Sequence, residues 1–358
     1  MTQTAGQKLR IGVVGTGFGT AVQIPGFQAY PRTEVVAVVS ATEEHARGAA
    51  ERFGIARALT SYDALLELDG LDAVSITSPP ATHHAMTLAA LRAGKHVLCE
   101  KPFAMNQDEA EELLAEAQRT GLAAMVDHEF RWVPARAYFG QLVRDGWLGE
   151  PRTVTITQFG GGPAFAQRPW SWWSDAEQGG GLLGALGSHV IDAVRTWFGE
   201  FAGVFGQLDT WTTDRRTPTG SFRPVTSDDA YAFMARLQNG ALVSATSSFA
   251  APFGEGLRVQ AFGSGGALTI EPDGSVRGAR ASDTALQPLP IPEAFHRRDL
   301  LPDAKDERLM PFVALTERFC RWALDGEPAT PSFEDGVRNQ RVADAVTRSV
   351  REGRWVAV

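Results

Sequence analysis

Short apolar runs alternate with helix-like stretches through the first 127 residues, and this alternation restricts the fold more than any other feature of the chain. Five runs have the length of buried strands: 9–14, 35–39, 73–76, 96–99 and 123–126. Three stretches between them place apolar residues at helical spacing: 42–53, 82–93 and 107–120. Because strands joined by helices pair in parallel, this order predicts an α/β domain, a parallel sheet with helices on both faces.

The pattern changes after residue 127. A helix-like stretch comes first. Strand-like segments follow at 153–159, 204–210, 230–237, 241–249, 257–262 and 267–270. A loop rich in glycine and tryptophan and a helix at 182–197 separate the first of these segments from the rest. Such runs of strands predict an α+β domain with a large, mainly antiparallel, open sheet. The segment 273–305, rich in proline, aspartate and arginine, predicts a loop excursion, and two helices at 307–324 and 335–351 close the chain.

The length of 358 residues exceeds the about 100–200 residues of one domain, so two domains are expected. The change of pattern divides them at 1–127 and 128–358, with the closing helix free to pack back on the first domain.

Composition excludes several functional classes. The net charge of −8 argues against nucleic acid or an anionic membrane as partner, since both favour basic surfaces. Cys99 and Cys320 are far apart and lack metal-ligand spacing, so we expect a reducing compartment, no disulfide and no metal site. Neither a secretory signal nor an apolar run of about 18 residues is visible, so we expect a cytoplasmic protein.

A glycine-rich turn, Gly15-Thr16-Gly17-Phe18-Gly19, follows the first predicted strand. Glycine lets the backbone turn tightly and approach a pyrophosphate, which then rests on amides at the helix N-terminus. The third glycine of a G-x-G-x-x-G pattern would fall at Thr20, so Gly19 is displaced by one residue. The position after the first strand favours dinucleotide binding, and the alternative is a tight turn with no ligand.

The end of the second predicted strand bears on the choice of dinucleotide. An Asp or Glu at this point accepts a hydrogen bond from the ribose of NAD and repels the 2′-phosphate of NADP. No carboxylate stands there, whereas Ser40 and Thr42 can donate to a phosphate and His45 or Arg47 can add positive charge. We therefore predict NADP as the preferred cofactor and NAD as the alternative.

Two further motifs follow later predicted strands, where a parallel sheet collects its ligands. Ser78-Pro79-Pro80 turns the chain, and His83 begins the next helix, where it contacts the cofactor or makes a structural hydrogen bond. Glu100-Lys101-Pro102 places Lys101 where a chemical role is possible, and the proline restricts its backbone to an extended conformation. Taken alone, this motif would more often be a surface ion pair, but the glycine-rich turn upstream favours a chemical role.

With these motifs in order, the chain resembles the Gfo/Idh/MocA family (glucose–fructose oxidoreductase / inositol dehydrogenase). Residues 179–181 and 187–192 are similar to the family's G-G-G…G-x-H-x-x-D stretch, and 335–353 is similar to its closing helix. The resemblance implies a Rossmann domain that binds NAD(P), a C-terminal domain for substrate binding and oligomerisation, and a homodimer or homotetramer. It also implies hydride transfer between nicotinamide C4 and a carbinol of a sugar, cyclitol or related polyol.

The resemblance implies catalytic roles for two residues. Lys101 matches the lysine of the E-K-P motif, which contacts the reacting oxygen and helps to position the cofactor with Glu100 beside it. His189 matches the histidine that acts as acid and base. The chemistry agrees, because the hydroxyl proton must leave with the hydride, histidine titrates near neutral pH, and an ammonium stabilises a developing alkoxide.

One position departs from the family pattern. An aspartate usually stands four residues before the histidine, and this chain has Ala185 there. Alanine cannot orient an imidazole or accept a proton, so another carboxylate must substitute or the chemistry is altered. The candidates are Asp175, Glu177 and Asp192, of which Asp192 suits a structural role better.

Four more side chains are predicted to contact cofactor or substrate. Arg131 and His128 follow the last strand of the first domain and would face the cofactor, and Trp172 and Trp173 offer flat faces to a sugar ring. The alternatives are an inter-domain arginine, a buried histidine, and tryptophans in a core or subunit interface. His189 and Asp192 complete the predicted substrate contacts.

These observations predict an NAD(P)-dependent oxidoreductase acting on CH–OH groups of a polyol. Two alternatives stay open at this point. One is redox-neutral NAD-dependent glycoside cleavage, by transient oxidation, elimination and re-reduction. The other is a non-catalytic NAD(P)-binding sensor protein.

Overall fold

The computed structural model describes residues 6–162, 165, 167–298 and 306–358. Strands, in chain order, are β1 Leu9–Val14, β2 Thr33–Val39, β3 Arg57–Leu59, β4 Ala73–Ile76, β5 His96–Cys99, β6 Ala124–Val126, β7 Pro151–Phe159, β8 Phe201–Asp209, β9 Asp214–Arg216, β10 Phe222–Pro224, β11 Ala230–Leu237, β12 Leu242–Ser248, β13 Gly256–Gly263, β14 Gly266–Ile270, β15 Val276–Arg280, β16 Gln287–Pro288 and β17 Val356–Ala357. The α-helices are α1 Ile24–Ala29, α2 Glu43–Phe53, α3 Tyr62–Leu66, α4 His83–Arg92, α5 Gln107–Thr120, α6 Pro134–Arg144, α7 Ser188–Phe198, α8 Leu309–Asp325 and α9 Phe333–Glu352. Two π-helical segments, Gly19–Gln23 and Leu183–Gly187, lead into α1 and α7.

The chain forms two compact units. The first comprises Met1–Val133 and His296–Val337, and the second comprises Pro134–Phe295 and Arg338–Val358. The predicted division placed every residue after 127 in the second domain, whereas the segment that contains α8 lies in the first unit. The reason is packing: Phe312 and Phe319 of α8 are fully buried in the same core as β1. Periodicity showed an apolar helix face but not which core it joins.

The sheet of the first unit has the order β3-β2-β1-β4-β5-β6, with every pair parallel. Apolar clusters cover both faces, one containing Ile11 and Val13 and the other Val14 and Ile76. The predicted parallel α/β sheet is confirmed. Sequence reasoning missed β3, because its residues are mostly exposed and form no apolar run.

The second unit is built on a nine-stranded sheet of order β16-β15-β14-β13-β7-β12-β11-β8-β17. Only β7 and β12 pair in parallel, so the sheet is mainly antiparallel and open, as predicted. One face packs against helical residues that include Val190, Val194 and Val346. The segment predicted as an excursion supplies two edge strands, β15 and β16, and its residues 299–305 lie outside the described residues.

The other face of this sheet leaves large apolar side chains exposed. Met234 of β11 stands opposite Phe205 of β8, and Trp355 lies 6.4 Å from the Phe205 ring. Leu242 and Phe262 are exposed on the neighbouring strands. None of the described helices is long and apolar enough to cross a membrane.

Candidate functional site

The three glycines of the turn, Gly15, Gly17 and Gly19, differ in whether the surrounding structure leaves space for a side chain. Gly15 has a φ of +107°, and a Cβ there would lie 2.5 Å from Thr77 Oγ1 and 2.8 Å from the Thr77 carbonyl. At Gly19 a Cβ would lie 3.1 Å from both Thr77 and Val13. At Gly17 it would meet no atom of the described residues within 4 Å, and the φ is ordinary. The chain itself does not require a glycine at 17, so the bare backbone fits the approach of an external pyrophosphate.

The ends of β1 and β2 meet at the same edge of the sheet. Ser40 Oγ and Thr16 Oγ1 are 3.0 Å apart, which joins the end of β2 to the glycine turn. Thr42 caps α2 by accepting a hydrogen bond from the backbone amide of His45 at 3.3 Å. Arg47 pairs with Glu43 on the exposed face of α2, so this guanidinium already has a carboxylate partner.

The surroundings of His83 favour a structural hydrogen bond over a contact with the cofactor. The residue is fully buried, and its ring nitrogens each lie 2.9 Å from a backbone carbonyl, Nδ1 from Pro102 and Nε2 from Ser78. Burial lowers the pKa of His83, which favours the neutral ring. The side chain therefore joins the Ser78-Pro79 turn to the loop after Lys101, while the Ser78 hydroxyl lies 2.6 Å from that of Thr82.

Lys101 follows β5 at the carboxyl edge of the parallel sheet. Its Nζ is 3.7 Å from Glu100 Oε2, and its backbone amide donates to the same oxygen at 3.1 Å. The ammonium also lies 5.7 Å from the ring centroid of Phe18 in the glycine turn. Burial by itself would lower the pKa of Lys101, but the charges of Glu100 and then Glu129 oppose it, and the pKa is raised. The site therefore holds Lys101 as a cation.

A buried polar network supports Glu100, and sequence reasoning did not predict it. Gln23 Nε2 donates to Glu100 Oε1 at 3.1 Å and to Asp127 Oδ2 at 2.9 Å. Ser75 Oγ donates to Gln23 Oε1 at 2.5 Å. Burial, followed by the charges of Glu100 and Glu129, raises the pKa of Asp127 well above its usual value. The position of Asp127 directly after β6 was the available signal.

Arg131 is engaged inside the first unit. Its Nη2 lies 3.0 Å from Asp335 Oδ1, and Asp335 Oδ2 accepts the backbone amide of Ser332. The arginine thus ties the turn after β6 to the start of α9. His128 beside it is almost fully buried. A second cation that sequence reasoning missed, Arg308, lies 5.4 Å from the Phe18 ring centroid.

His189 and Asp192 belong to the second unit, on α7, and both side chains are buried. The preceding residues 183–187 form a π-helical turn instead of the α-helix predicted from 182. Small residues, Gly184 and Gly187, make this wider turn accessible. Lys101 and His189 thus lie in different units, and the assignment of both to catalysis stays a prediction.

The carboxylate nearest to the start of this helix is Asp228, which sequence reasoning overlooked. Asp228 Oδ2 accepts the backbone amide of Leu183 at 2.8 Å. Burial raises its pKa to about 6, against the lowering effect of the Leu183 amide. Of the predicted substitutes, Asp175 accepts a hydrogen bond from the backbone amide of Glu177 and another from Gln178, so it is held in a local turn.

Trp172 and Trp173 are half-buried in the second unit, with ring centroids 6.0 Å apart. The Trp173 ring stacks on Phe249 at 6.4 Å, and the guanidinium of Arg168 lies 4.8 Å from its centroid. Trp173 is therefore already engaged in aromatic packing. Within the ranges that the structure describes, no group of three or more His, Cys, Asp or Glu residues is placed to hold a metal ion.

Comparisons with known proteins match nearly the whole chain. Residues 9–128 match the family model described as an oxidoreductase family with an NAD-binding Rossmann fold, and residues 137–269 match the GFO/IDH/MocA C-terminal domain. An uncharacterised oxidoreductase of Synechocystis is 31% identical, covering 99% of this chain and 97% of the relative. Levoglucosan dehydrogenase of Pseudarthrobacter phenanthrenivorans is 27% identical, covering 98% of both.

Solved structures agree with these relatives. Levoglucosan dehydrogenase in complex with NADH and L-sorbose superposes with a TM-score of 0.90 at 25% identity, covering 98% of this chain and 99% of the other. An oxidoreductase domain protein of Kribbella flavida has a TM-score of 0.90 at 28% identity, with the same coverage.

Proposed function

The chain belongs to the Gfo/Idh/MocA family of NAD-binding oxidoreductases, and we propose that it is a dehydrogenase that oxidises one carbinol of a sugar or related polyol. The first unit is its NAD-binding Rossmann domain. Two relatives support a cyclic monosaccharide or anhydrosugar as substrate: levoglucosan dehydrogenase, and D-apiose dehydrogenase of Paraburkholderia graminis, which is 29% identical over 56% of this chain.

One observation carries the proposal. Within the first unit, the Lys101 ammonium lies beside Phe18 of the glycine turn, at the edge where the strands end. Gly17 leaves open space that the fold itself does not need, and the half-buried Lys101 ammonium lies near the adjacent Phe18, a combination that a structural ion pair alone does not explain. The proposal therefore assigns the cofactor to residues Gly15 to Gly19, with Ser40, Ser78, Pro79 and Glu100 at the same edge.

We assign chemical roles as follows. A nicotinamide dinucleotide bound at this turn supplies the hydride acceptor. Lys101 stays protonated and donates a hydrogen bond to the substrate oxygen, so that its charge stabilises the alkoxide that develops as the hydride leaves. His189 accepts the hydroxyl proton, and on carbonyl reduction it returns that proton. Oxidation thus removes a hydride, which carries two electrons, from the carbinol carbon and transfers one proton from its hydroxyl to the imidazole.

The test is a substrate panel that includes levoglucosan, D-apiose, other aldoses and cyclitols, with the absorbance of reduced nicotinamide as readout. Turnover on one class is expected, with a loss of at least about a hundredfold in Lys101→Met and in His189→Asn. Lys95→Met is the matched control, because Lys95 donates to the Leu71 carbonyl away from the glycine turn. Unchanged turnover in both active-site variants would refute the assigned roles.

We further propose that the protein prefers NADP to NAD. The support is the uncharged end of β2, where the hydroxyls of Ser40 and Thr42 stand in place of a carboxylate. Ser40→Asp should weaken NADP binding by at least about tenfold and spare NAD, because a carboxylate repels the 2′-phosphate. A wild-type protein that binds NAD at least as tightly as NADP would refute this preference.

We propose that a second copy of the chain covers the exposed apolar face of the nine-stranded sheet and that the protein is a homodimer or homotetramer. Contiguous apolar patches of this kind mark protein interfaces. Met234→Asp, which places a charge opposite Phe205 on this face, should shift the mass in sedimentation toward the monomer. A wild-type protein that sediments as a monomer would refute it.

A further inference from the structure

The buried network beneath Lys101 contains two carboxyl groups that share one donor. Glu100 and Asp127 are 5% and 0% exposed, and the Gln23 amide nitrogen donates to both. The Ser75 hydroxyl donates to the Gln23 oxygen and so fixes which end of the amide faces the carboxyls. We call Glu100 and Asp127 the carboxyl pair.

The geometry of the carboxyl pair favours one proton on the pair. A single amide nitrogen donates to Glu100 Oε1 at 3.1 Å and to Asp127 Oδ2 at 2.9 Å, so the two buried carboxyl groups lie close together and would repel each other if both were ionised. The Asp127 Oδ1 atom is buried and has no hydrogen-bond partner among the described residues. An ionised oxygen in that position would be costly, whereas the carbonyl oxygen of a neutral acid costs much less.

The contacts also decide which member of the pair keeps its negative charge. Both contacts of Lys101, through Nζ and through its backbone amide, go to Glu100 Oε2. A cation and an amide donor favour the ionised form of the group that they touch. Asp127 has no such cation contact in the described structure, so the proton belongs on Asp127.

We propose that Asp127 is a neutral carboxylic acid that donates to Glu100, and that Asp127 and Gln23 act as positioning residues that present one carboxylate to the Lys101 ammonium. Glu100 is the carboxylate that Lys101 contacts, and the charge of Glu129 adds to the field that keeps the ammonium protonated. The protonation state stands independently of the enzymatic activity, whereas its catalytic consequence rests on the proposed function.

The titratable groups that face the pair come from several elements. Lys101 and Cys99 lie at the end of β5, Glu129 in the turn after β6, and Arg308 before α8. His83 at the start of α4 interacts with Glu100 as well. Burial raises the pKa of the Cys99 thiol, so this group stays neutral.

The composition makes a direct test feasible, because the chain has four lysines: Lys8, Lys95, Lys101 and Lys305. Lysine-selective isotope labelling therefore yields four side-chain signals, and Lys101→Arg identifies that of Lys101. The apo protein is titrated by NMR as wild type, Asp127→Asn and Glu100→Gln. Neither substrate nor cofactor is needed, so a failure of the proposed dehydrogenase activity leaves the result readable.

The two isosteric variants should behave differently. Glu100→Gln removes the counter-charge and should lower the pKa of Lys101 by about 1 unit or more. Asp127→Asn replaces a neutral acid with a neutral amide and should leave the Lys101 titration within measurement error. An equal drop in both variants would overturn the proposal, because it would show that Asp127 carries charge.

Infrared spectroscopy provides a second measurement. At pH 8 the wild type should show the carbonyl stretch of a protonated carboxylic acid, and this band should disappear in Asp127→Asn. A wild type without the band, or a band that persists in the variant, would also overturn the proposal.

Discussion

Two glycines of the same turn should respond to alanine with opposite effects on stability. A Cβ at Gly15 would lie 2.8 Å from the Thr77 carbonyl oxygen, and the φ of +107° is unfavourable for any residue with a side chain. A Cβ at Gly17 would meet nothing within 4 Å in the described part of the chain. Comparing the two alanine variants distinguishes the glycine that the fold requires from the glycine that a bound ligand requires.

The expected magnitudes follow from this geometry. Gly15→Ala combines backbone strain of about 1–3 kcal/mol with an overlap that costs a similar amount, about 2–5 kcal/mol together. For a unit of this size 1 kcal/mol moves Tm by about 2–4 °C, so a fall of the order of 10 °C is expected. Gly17→Ala restricts only the unfolded chain and should raise stability by about 0.4–1 kcal/mol.

Cofactor affinity should change in the variant that folds well. The added methyl group of Gly17→Ala occupies the space where the pyrophosphate approaches the backbone, so Kd should rise at least tenfold, or about 1.4 kcal/mol. Thermal unfolding of the apo protein gives the stability, and calorimetric titration with NAD and NADP gives Kd. Gly48→Ala, at an exposed position of α2 with equally open space, is the matched control.

Two results would refute this reasoning. If Gly17→Ala bound both dinucleotides with the affinity of the wild type, the open space would not be the pyrophosphate site. If Gly15→Ala kept the wild-type Tm, the contact with Thr77 would not constrain the turn.

Three further outcomes test other parts of the structure. The pKa of Asp228 is about 6 in the folded chain against 3.8 for the ordinary group, so stability should fall as the pH rises from 4 to 7, by up to about 3 kcal/mol. Denaturant titrations of Asp228→Asn should show this pH dependence reduced, and an unchanged dependence would contradict the shift. Phe312→Ala removes the edge-to-face contact with Phe27 and should cost about 3–5 kcal/mol in chemical denaturation of the first unit, whereas a loss below about 1 kcal/mol would argue against α8 as part of that core. Thr42→Ala deletes the cap that accepts the His45 amide and should cost about 1 kcal/mol, measured by the same method; Thr42→Ser should retain it, and equal losses would contradict the capping role.

The sequence by itself determined most of the parallel sheet in the first unit. Strands buried on both faces must be apolar throughout, so β4 and β5 begin and end where the apolar runs do. The ends of the helices also depended on local sequence. Asn106 accepts a hydrogen bond from the Glu109 amide at the start of α5, and Gly121 ends α5 in a left-handed conformation. The glycine turn and the E-K-P motif were readable because backbone conformation and residue type are local properties.

Only the tertiary structure determined which distant residues form hydrogen bonds with one another at the site. Gln23 and Asp127 are 104 residues apart, and no pattern within either segment predicts their hydrogen bond. Asp228 reaches the Leu183 amide across 45 residues, whereas the carboxylates that the sequence offered near this helix were Asp175, Glu177 and Asp192. Burial and the distance between charges determine pKa, and both depend on which distant segments pack together. For the same reason the structure, and not the helical periodicity, assigned α8 to the first unit.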